Sequence, residues 1–461
     1  MKTLTHGLSP RPRLDPAARA VVAALWIALG IFVVYPAFRL LWIAFWVDGR
    51  FTLANLAPVL TNWYDRQALI NSLLLGGCVA VSGTALGFIF AYAVTRLSLP
   101  GWFKFVLSGI SMLPLISPPF TSSIALTLSL GPNGLLIKLL GLENFNFYGF
   151  WGTFLSETLT FYPVAFMTLT TILSRIDSNL EDAAYSMGAS PLRVFRTVTL
   201  PLSAPGLANA FLLVFACSLA DFATPLVLAG HAFPVLPTQA YLQITGMYDL
   251  KGGAALSFVL LVPALIVYAI QYCWLSKKSF VTISGKAGGR SSVKGPGAFP
   301  TACIIGLISF VMIFVVYIYA LIFWGSVVKV WGINNALTGE NYAYVFNFGR
   351  KAIRDTLIIA CLGTPLGGLL AVLVGYAAER LKVKGHKTLE TVSLLNFALP
   401  GTVVGIAYVI AFNDKPLVLT GTVSILVASY VFRYSSAGIR NVIASLQQID
   451  PSIEEASASL G

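Results

Sequence analysis

The residues of this chain that are most informative about function lie in one polar segment, 177–206. It reads Asp177-Ser178-Asn179-Leu180-Glu181-Asp182-Ala183-Ala184, continues through Gly188 and Pro191, and reaches Leu200-Pro201. We predict that Asp177 or Ser178 caps a short helix, with Glu181 placed as in a capping box and the acids near the positive end of the helix dipole. Ala184 and Gly188 are four residues apart and are expected to share a helix face. Such a helix offers a docking surface for another protein, not a nucleophile.

A second copy of this segment lies near the other end of the sequence. It reads Ile449-Asp450-Pro451-Ser452-Ile453-Glu454-Glu455-Ala456-Ser457 and runs on to Gly461. Pro451 would occupy a favourable first helical position after an Asp450 cap. The alternative is a polar connector that happens to be helical. Repetition of the cap, the acids and the glycine argues against that alternative.

Two further acids, Glu157 and Asp221, lie inside apolar stretches. An ionisable residue within a membrane span is costly and is a candidate for function. If a helix begins near Pro205, Asp221 lies about 24 Å along it, towards the outer leaflet. The two carboxylates are possible pathway residues for a cation. Alternatively, each holds helices together by bonding a neighbouring hydroxyl or Arg433.

The composition indicates that this protein lies in a lipid bilayer. Of 461 residues, 57% are hydrophobic and 10% are charged, with a mean hydropathy of +0.81. Soluble domains are about one-quarter charged. The net charge is +12, but the basic residues stand between apolar spans, which is typical of membrane topology and not of nucleic-acid binding. The cysteines and histidines show no metal-ligand spacing, so neither a structural metal nor a cofactor is expected.

Hydropathy predicts an all-α, polytopic transmembrane bundle. Ten spans are expected, each near the 20 residues or so that a spanning helix needs: 20–43, 70–94, 105–130, 149–173, 205–229, 254–275, 298–324, 355–378, 389–412 and 419–442. Alternation places most basic loops, including the N-terminal arm, on one side, which the positive-inside rule makes the cytoplasm. The loop 325–354 is an exception, because it is basic and falls outside. The first apolar run is too long for a signal-peptide core, so it is expected to be retained.

The chain also repeats itself in the same order. Asn71-Ser72-Leu73-Leu74 is echoed by Asp355-Thr356-Leu357-Ile358, and Ala91-Tyr92-Ala93-Val94-Thr95-Arg96-Leu97 by Gly375-Tyr376-Ala377-Ala378-Glu379-Arg380-Leu381. We therefore predict a cytoplasmic arm over 1–19, a first permease domain over 20–275, a cytoplasmic linker over 276–297, and a second permease domain over 298–461. Parallel repeats place a pathway at their interface.

These motifs resemble the coupling loop of importer-type ATP-binding-cassette permeases. Asp182-Ala183-Ala184, Gly188 and Leu200-Pro201 match that pattern with Asp in place of Glu, and Glu455-Ala456-Ser457 and Gly461 match with Ser in place of the second Ala. The resemblance implies that the loop docks on an ATPase subunit. It assigns that role to the following residues: Glu181, Asp182, Ala183, Ala184, Gly188, Glu454, Glu455, Ala456 and Gly461. By analogy with the first half, a Leu-Pro segment and about two further spans are expected after Gly461.

Three further motifs are most similar to ferric-iron importer permeases. They are Ser218-Leu219-Ala220-Asp221-Phe222-Ala223-Thr224-Pro225-Leu226-Val227-Leu228, Thr238-Gln239-Ala240-Tyr241 and Lys251-Gly252-Gly253-Ala254-Ala255. Permeases for thiamine, phosphonates and polyamines are close alternatives.

No P-loop occurs in the sequence, so ATP is expected on a separate ATPase, in two copies, and the chain itself is not expected to be an enzyme. A periplasmic solute-binding protein is the other expected partner, in a bacterial inner membrane. Two other classes stay open: a gradient-driven secondary transporter or channel, and a membrane scaffold that transports nothing. Paired docking helices favour the importer, because a gradient-driven carrier has no use for them.

Overall fold

A computed structural model describes residues 15–47, 49–142, 145–271, 297–450, 452, 453 and 456. Nearly all of the predicted arm and linker lies outside these residues. The described part is almost wholly helical, with two short hairpins. Its helices fall into two compact units, one formed by residues 43–351 with 400–406 and the other by 1–42, 352–399 and 407–461.

The first elements run from the N-terminal helix to the first long span. Asp15 caps α1 by accepting a hydrogen bond from the Ala18 amide, and Pro16 occupies the first helical position. In order the elements are α1 (Pro16–Leu29), a π-helical turn (Gly30–Val34), α2 (Tyr35–Phe45), β1 (Trp46–Val47), β2 (Arg50–Phe51), α3 (Ala57–Thr61) and α4 (Trp63–Arg96).

The remaining elements of the first predicted half are helical. They are α5 (Gly101–Ile116), α6 (Phe120–Leu130), α7 (Leu135–Leu140), α8 (Phe150–Leu173), α9 (Ser178–Ser186), α10 (Pro191–Val194), a π-helical turn (Phe195–Thr199), α11 (Leu200–Ala220), α12 (Ala223–Leu228), α13 (Leu236–Thr245) and α14 (Leu250–Ile270).

The second predicted half begins with a long helix and a hairpin, as the first does. Its elements are α15 (Ala298–Ser326), β3 (Val328–Val330), β4 (Asn334–Leu337), α16 (Glu340–Phe348), α17 (Arg350–Glu379), α18 (His386–Ala398), α19 (Gly401–Phe412) and α20 (Val423–Gln448). Each hairpin is antiparallel, with Trp46 opposite Phe51 in one and Val328 opposite Leu337 in the other.

The core of the larger unit is the packing of α4 against α8 and α11. Small residues allow this close approach. A Cβ added at Gly87 would stand 2.6 Å from Ala165 Cβ, and one at Gly83 would stand 3.2 Å from Val214 Cγ1. Side chains of α15 complete the same core, including Ile308 and Val315.

The smaller unit repeats the close pairing with α17 and α20. A Cβ at Gly375 would stand 2.6 Å from Val442 Cγ1, and one at Gly438 would stand 2.8 Å from Ala371 Cβ. Leu29 of α1 belongs to this core. Thus α1 packs with helices of the second predicted half, and α15 packs with helices of the first. The two compact units therefore do not coincide with the two predicted permease domains. The division into homologous halves describes the sequence and stays a prediction.

The structure subdivides several of the ten predicted spans. Span 105–130 is divided between α5 and α6, span 205–229 is interrupted after Ala220, and span 389–412 is two helices on either side of Pro400. Among the described residues, seven helices are long and apolar enough to cross a membrane, or eight if α18 and α19 form one broken span. Two other long helices lie outside that set: α8, which is rich in hydroxyl side chains, and α20, which contains two arginines. A polytopic helical membrane protein is confirmed, and the count of ten stays a prediction.

Candidate functional site: the coupling helix α9

The predicted docking helix is present as α9, nine residues long, and Asp177 is its cap. The Asp177 carboxylate accepts a hydrogen bond from the Asn179 amide at 3.0 Å. The helix ends at Ser186, and Gly188 follows with a φ of +84°, the left-handed conformation that glycine adopts easily. Gly188 therefore terminates the helix. The expectation that it shares a helix face with Ala184 is wrong, and Ala184 is itself buried against the chain.

Glu181 does not form the predicted capping box. Its side chain is 2% exposed and forms an ion pair with Arg96, the last residue of α4, at 3.0 Å between Nε and Oε2. The Thr199 hydroxyl donates to Glu181 Oε1 at 2.7 Å, and Arg96 Nη2 donates to the Ile176 carbonyl at 3.3 Å. With Asp177 as the cap, Glu181 lies one position too late to reach back to the cap amide. Its partners come from other elements.

Another side of α9 is exposed and partly apolar. Leu180 is 47% exposed and Met187 is 83% exposed, and Ala183 between them is exposed as well. Leu180 and Ala183 are three residues apart on α9, and Met187, which follows the last residue of the helix, continues their spacing. We call Leu180, Ala183 and Met187 the α9 outer face. Sequence reasoning missed Leu180 and Met187, although their i, i+3, i+7 spacing with Ala183 is visible in the sequence.

Tyr185 lies between the buried and exposed sides of α9 and is half-buried, as is Asp182. Burial first, and then the carboxylates of Glu181 and Asp182, raise the pKa of the Tyr185 phenol above its ordinary value. The phenol therefore stays neutral. The negative charge near this segment comes from its carboxylates.

The second segment repeats the first where it is described. The Asp450 carboxylate accepts from the Ser452 amide at 2.9 Å, and this hydrogen bond lowers the pKa of Asp450. Arg380 donates to the Ile449 carbonyl at 2.8 Å, as Arg96 does to Ile176. Ala456 is helical and exposed. Pro451, Glu454, Glu455 and Gly461 lie outside the described residues.

Arg96 is a functional candidate that the sequence could have revealed. It lies in the repeated stretch 91–97, and its counterpart in the second copy is Arg380. The repeat therefore carried the signal, while the contact with Glu181 required the fold.

Glu157 of α8 and Asp221 both lie beside the C-terminal end of α11. Glu157 is fully buried in α8 and accepts a hydrogen bond from the Ser218 hydroxyl. Asp221 follows the last residue of α11, so it is not carried within a continuous helix as expected. Its Oδ1 accepts from the Ala223 amide at 3.0 Å, at the start of α12. Glu157 Oε1 and Asp221 Oδ2 accept no hydrogen bond from the described residues.

The structure supports one part of the helix-bonding alternative and contradicts another. Glu157 does bond a neighbouring hydroxyl. Arg433 donates instead to the carbonyls of Asn396 and Leu399, at 3.1 and 3.0 Å. Within the described part of the chain, no three acids, histidines or cysteines gather as metal ligands.

Comparison with known proteins identifies the family. Residues 83–323 match the model of the binding-protein-dependent transport system inner membrane component. The chain is 37% identical over 441 residues to the putative ferric transport system permease protein FbpB 1 of Haemophilus influenzae, covering 93% of this chain and 69% of that protein. It is also 37% identical to the ferric transport system permease protein FbpB of Actinobacillus pleuropneumoniae, covering 93% of this chain and 64% of that protein.

A shorter relative matches about half of the chain. The molybdenum transport system permease protein ModB of Haemophilus influenzae is 32% identical over 224 residues, which are 45% of this chain and 94% of that protein. The family match, the two long relatives and the apolar helices agree with one another. The chain belongs to the inner membrane components of binding-protein-dependent transport systems, the multi-pass permeases of ATP-binding-cassette importers.

Proposed function

We propose that this chain forms the translocation pathway of a ferric-iron importer and is driven by ATP hydrolysed on a separate subunit that docks on α9. The observation that carries the docking proposal is the two-sided character of α9. One side is bound to the chain through Glu181, while the outer face leaves Leu180 and Met187 exposed. An exposed apolar patch rimmed by polar residues is typical of a protein interaction site.

The orientation follows from this proposal. The coupling segments and the N-terminus face the cytoplasm, where ATP is available, and a periplasmic binding protein delivers the solute on the other side. The two segments, headed by Asp177 and Asp450, would each receive one ATPase copy. ATP would be bound by those subunits and not by this chain.

Iron as the solute is supported by the names of the two long relatives. Glu157 and Asp221 would then belong to the pathway, since carboxylate oxygens suit a hard cation and each acid keeps one oxygen without a described hydrogen-bond partner. A cargo that must be released calls for few ligands. The absence of a cluster of three ligands among the described residues is compatible with transient passage.

The docking proposal is tested by placing a charge on the α9 outer face. Met187→Asp should abolish co-purification of an ATPase subunit with the chain and reduce 55Fe(III) uptake by cells at least tenfold, because the carboxylate would be desolvated in an apolar contact. Met247→Asp is the matched control. Met247 is 70% exposed in the turn between α13 and α14, and its substitution should leave both measurements unchanged.

Two results would contradict the proposal. Co-purification that is equal for Met187→Asp and the control would remove α9 as the docking site. Uptake that persists after the ATPase is inactivated would indicate a gradient-driven carrier. Competition of 55Fe uptake by unlabelled thiamine, phosphonate or spermidine tests the alternative substrates.

A further inference from the structure

We infer that Arg96, Glu181 and Thr199 are positioning residues that join α9 to two spanning helices, so that displacement of α9 is carried directly into α4 and α11. We call these three residues the coupling clamp. The inference rests on the proposed function for what displaces α9. The joint itself rests on geometry alone.

The clamp connects three separate elements through one carboxylate. Arg96 is the last residue of α4, Glu181 lies in the first turn of α9, and Thr199 is the last residue of the π-helical turn that leads into α11. Glu181 Oε1 accepts from Arg96 Nε at 3.1 Å and from the Thr199 hydroxyl at 2.7 Å. The same guanidinium holds the chain just before α9 through the Ile176 carbonyl. Motion of α9 away from either helix would break these bonds.

The coupling clamp is buried, and its hydrogen bonds depend on the angle between the elements that they join. The side chains of Arg96 and Glu181 are 6% and 2% exposed, so water does not readily replace the lost partners. Charge-assisted hydrogen bonds are shorter and more angle-dependent than apolar contacts. A buried ion pair is weak evidence for stability, since apolar residues often serve as well. Its distinctive property here is a fixed angle between α9 and the two spans, which apolar packing would not impose.

The two helices that the clamp holds lead into the core of the larger unit. Gly83 of α4 packs tightly against Val214 of α11, and Gly87 of α4 packs against Ala165 of α8 at a separation too short for a larger residue. Close-packed interfaces transmit displacement because they do not deform continuously. A push on α9 would therefore reach the interhelical contacts in the middle of α4. Arg380 and Ile449 repeat the main-chain part of the clamp in the second predicted half.

The first test measures attachment without any partner. Hydrogen exchange of amides 178–189 is compared in the purified full chain in nanodiscs. A nine-residue helix is unstable in isolation, so its protection depends on attachment. Arg96→Gln combined with Glu181→Gln leaves no unpaired buried charge and should still fold, yet exchange should be at least tenfold faster. Arg96→Lys should restore part of the protection relative to Arg96→Gln.

The matched control is Arg354→Gln. Arg354 also pairs with a carboxylate, that of Asp355, but in an exposed position. This variant should leave exchange of α9 unchanged. If exchange in the Arg96→Gln, Glu181→Gln double variant lies within twofold of the wild type, the clamp does not hold α9 and the inference is wrong.

The second test separates transmission from attachment. In the complex with its co-purifying ATPase, the double variant should retain at least half of the ATP hydrolysis rate while 55Fe uptake falls at least tenfold. Hydrolysis and uptake that fall in the same proportion would show a structural role only and would overturn the inference. If the wild-type chain binds no ATPase at all, the proposed function fails, while the exchange experiment still decides whether the clamp positions α9.

Discussion

A close helix contact in the larger unit, that of α4 with α8, gives a prediction with a built-in control. Gly87 and Gly77 both lie in α4. A Cβ at Gly87 would stand 2.6 Å from Ala165 Cβ and 2.7 Å from the Phe166 amide nitrogen, whereas a Cβ at Gly77 would have no atom within 4 Å. Alanine at either position should gain the same helix propensity, about 1 kcal/mol. The difference between the two variants therefore measures the steric cost at Gly87 alone.

The magnitude follows from what would have to move. One of the two clashes is with main chain, so the cost cannot be relieved by rotating a flexible side chain. Overpacking typically costs about 1–3 kcal/mol, and separation of two backbones belongs at the upper end, about 3 kcal/mol. At about 2 °C for each kcal/mol in a unit of this size, Gly87→Ala should unfold about 6 °C below Gly77→Ala.

The assay is thermal unfolding of the purified chain in detergent, monitored by size-exclusion chromatography. Gly77→Ala should be at least as stable as the wild type. A Gly87→Ala chain that unfolds at or above the temperature of Gly77→Ala would refute the close packing of α4 against α8, and with it the route from α9 into the core.

Three more predictions concern single residues. Gly188→Val should destabilise the turn after α9 by about 1–2 kcal/mol through backbone strain alone, because no atom lies within 4 Å of a Cβ at this position. Gly188→Asn should destabilise the turn less. Hydrogen exchange of the amides just after α9 measures both effects, and equal exchange rates in the two variants would contradict the left-handed turn. Arg433→Leu should lower the free energy of unfolding by about 2 kcal/mol, because the Asn396 and Leu399 carbonyls would lose their hydrogen-bond donor. The unfolding temperature measures this loss, and an unchanged temperature would contradict the prediction. Asp221→Asn should reduce 55Fe uptake without lowering membrane abundance, and lost abundance would instead assign the residue to helix bonding.

The buried side of α9 shows how far sequence patterns reach. The sequence predicted a short capped helix at Asp177, and the cap is confirmed. Cap preferences are local, since a side chain and an amide two residues away satisfy each other regardless of the rest of the fold. The assignment of Glu181 to the same local pattern is wrong, because its hydrogen-bond partner Arg96 lies 85 positions away in the sequence. Nothing local distinguishes a carboxylate that bonds an amide from one that bonds a distant guanidinium.

The exposed side of α9 required the fold for the same reason. Ala183 and Ala184 are identical in type and adjacent, yet one is exposed and the other buried. Only the contacts of Glu181, which fix the rotation of the helix, distinguish them.

The sequence alone therefore determined the solvent, the helical class and the family of this protein. Each of those properties is a sum or a repetition along the chain: hydropathy accumulates residue by residue, and the coupling motif occurs twice. Tertiary structure decided the partners of Glu181 and Glu157, the rotation that exposes Met187, and the packing of α1 and α15. These depend on which distant helices meet, and the apolar residues that drive the helices together are too alike in sequence to specify a partner.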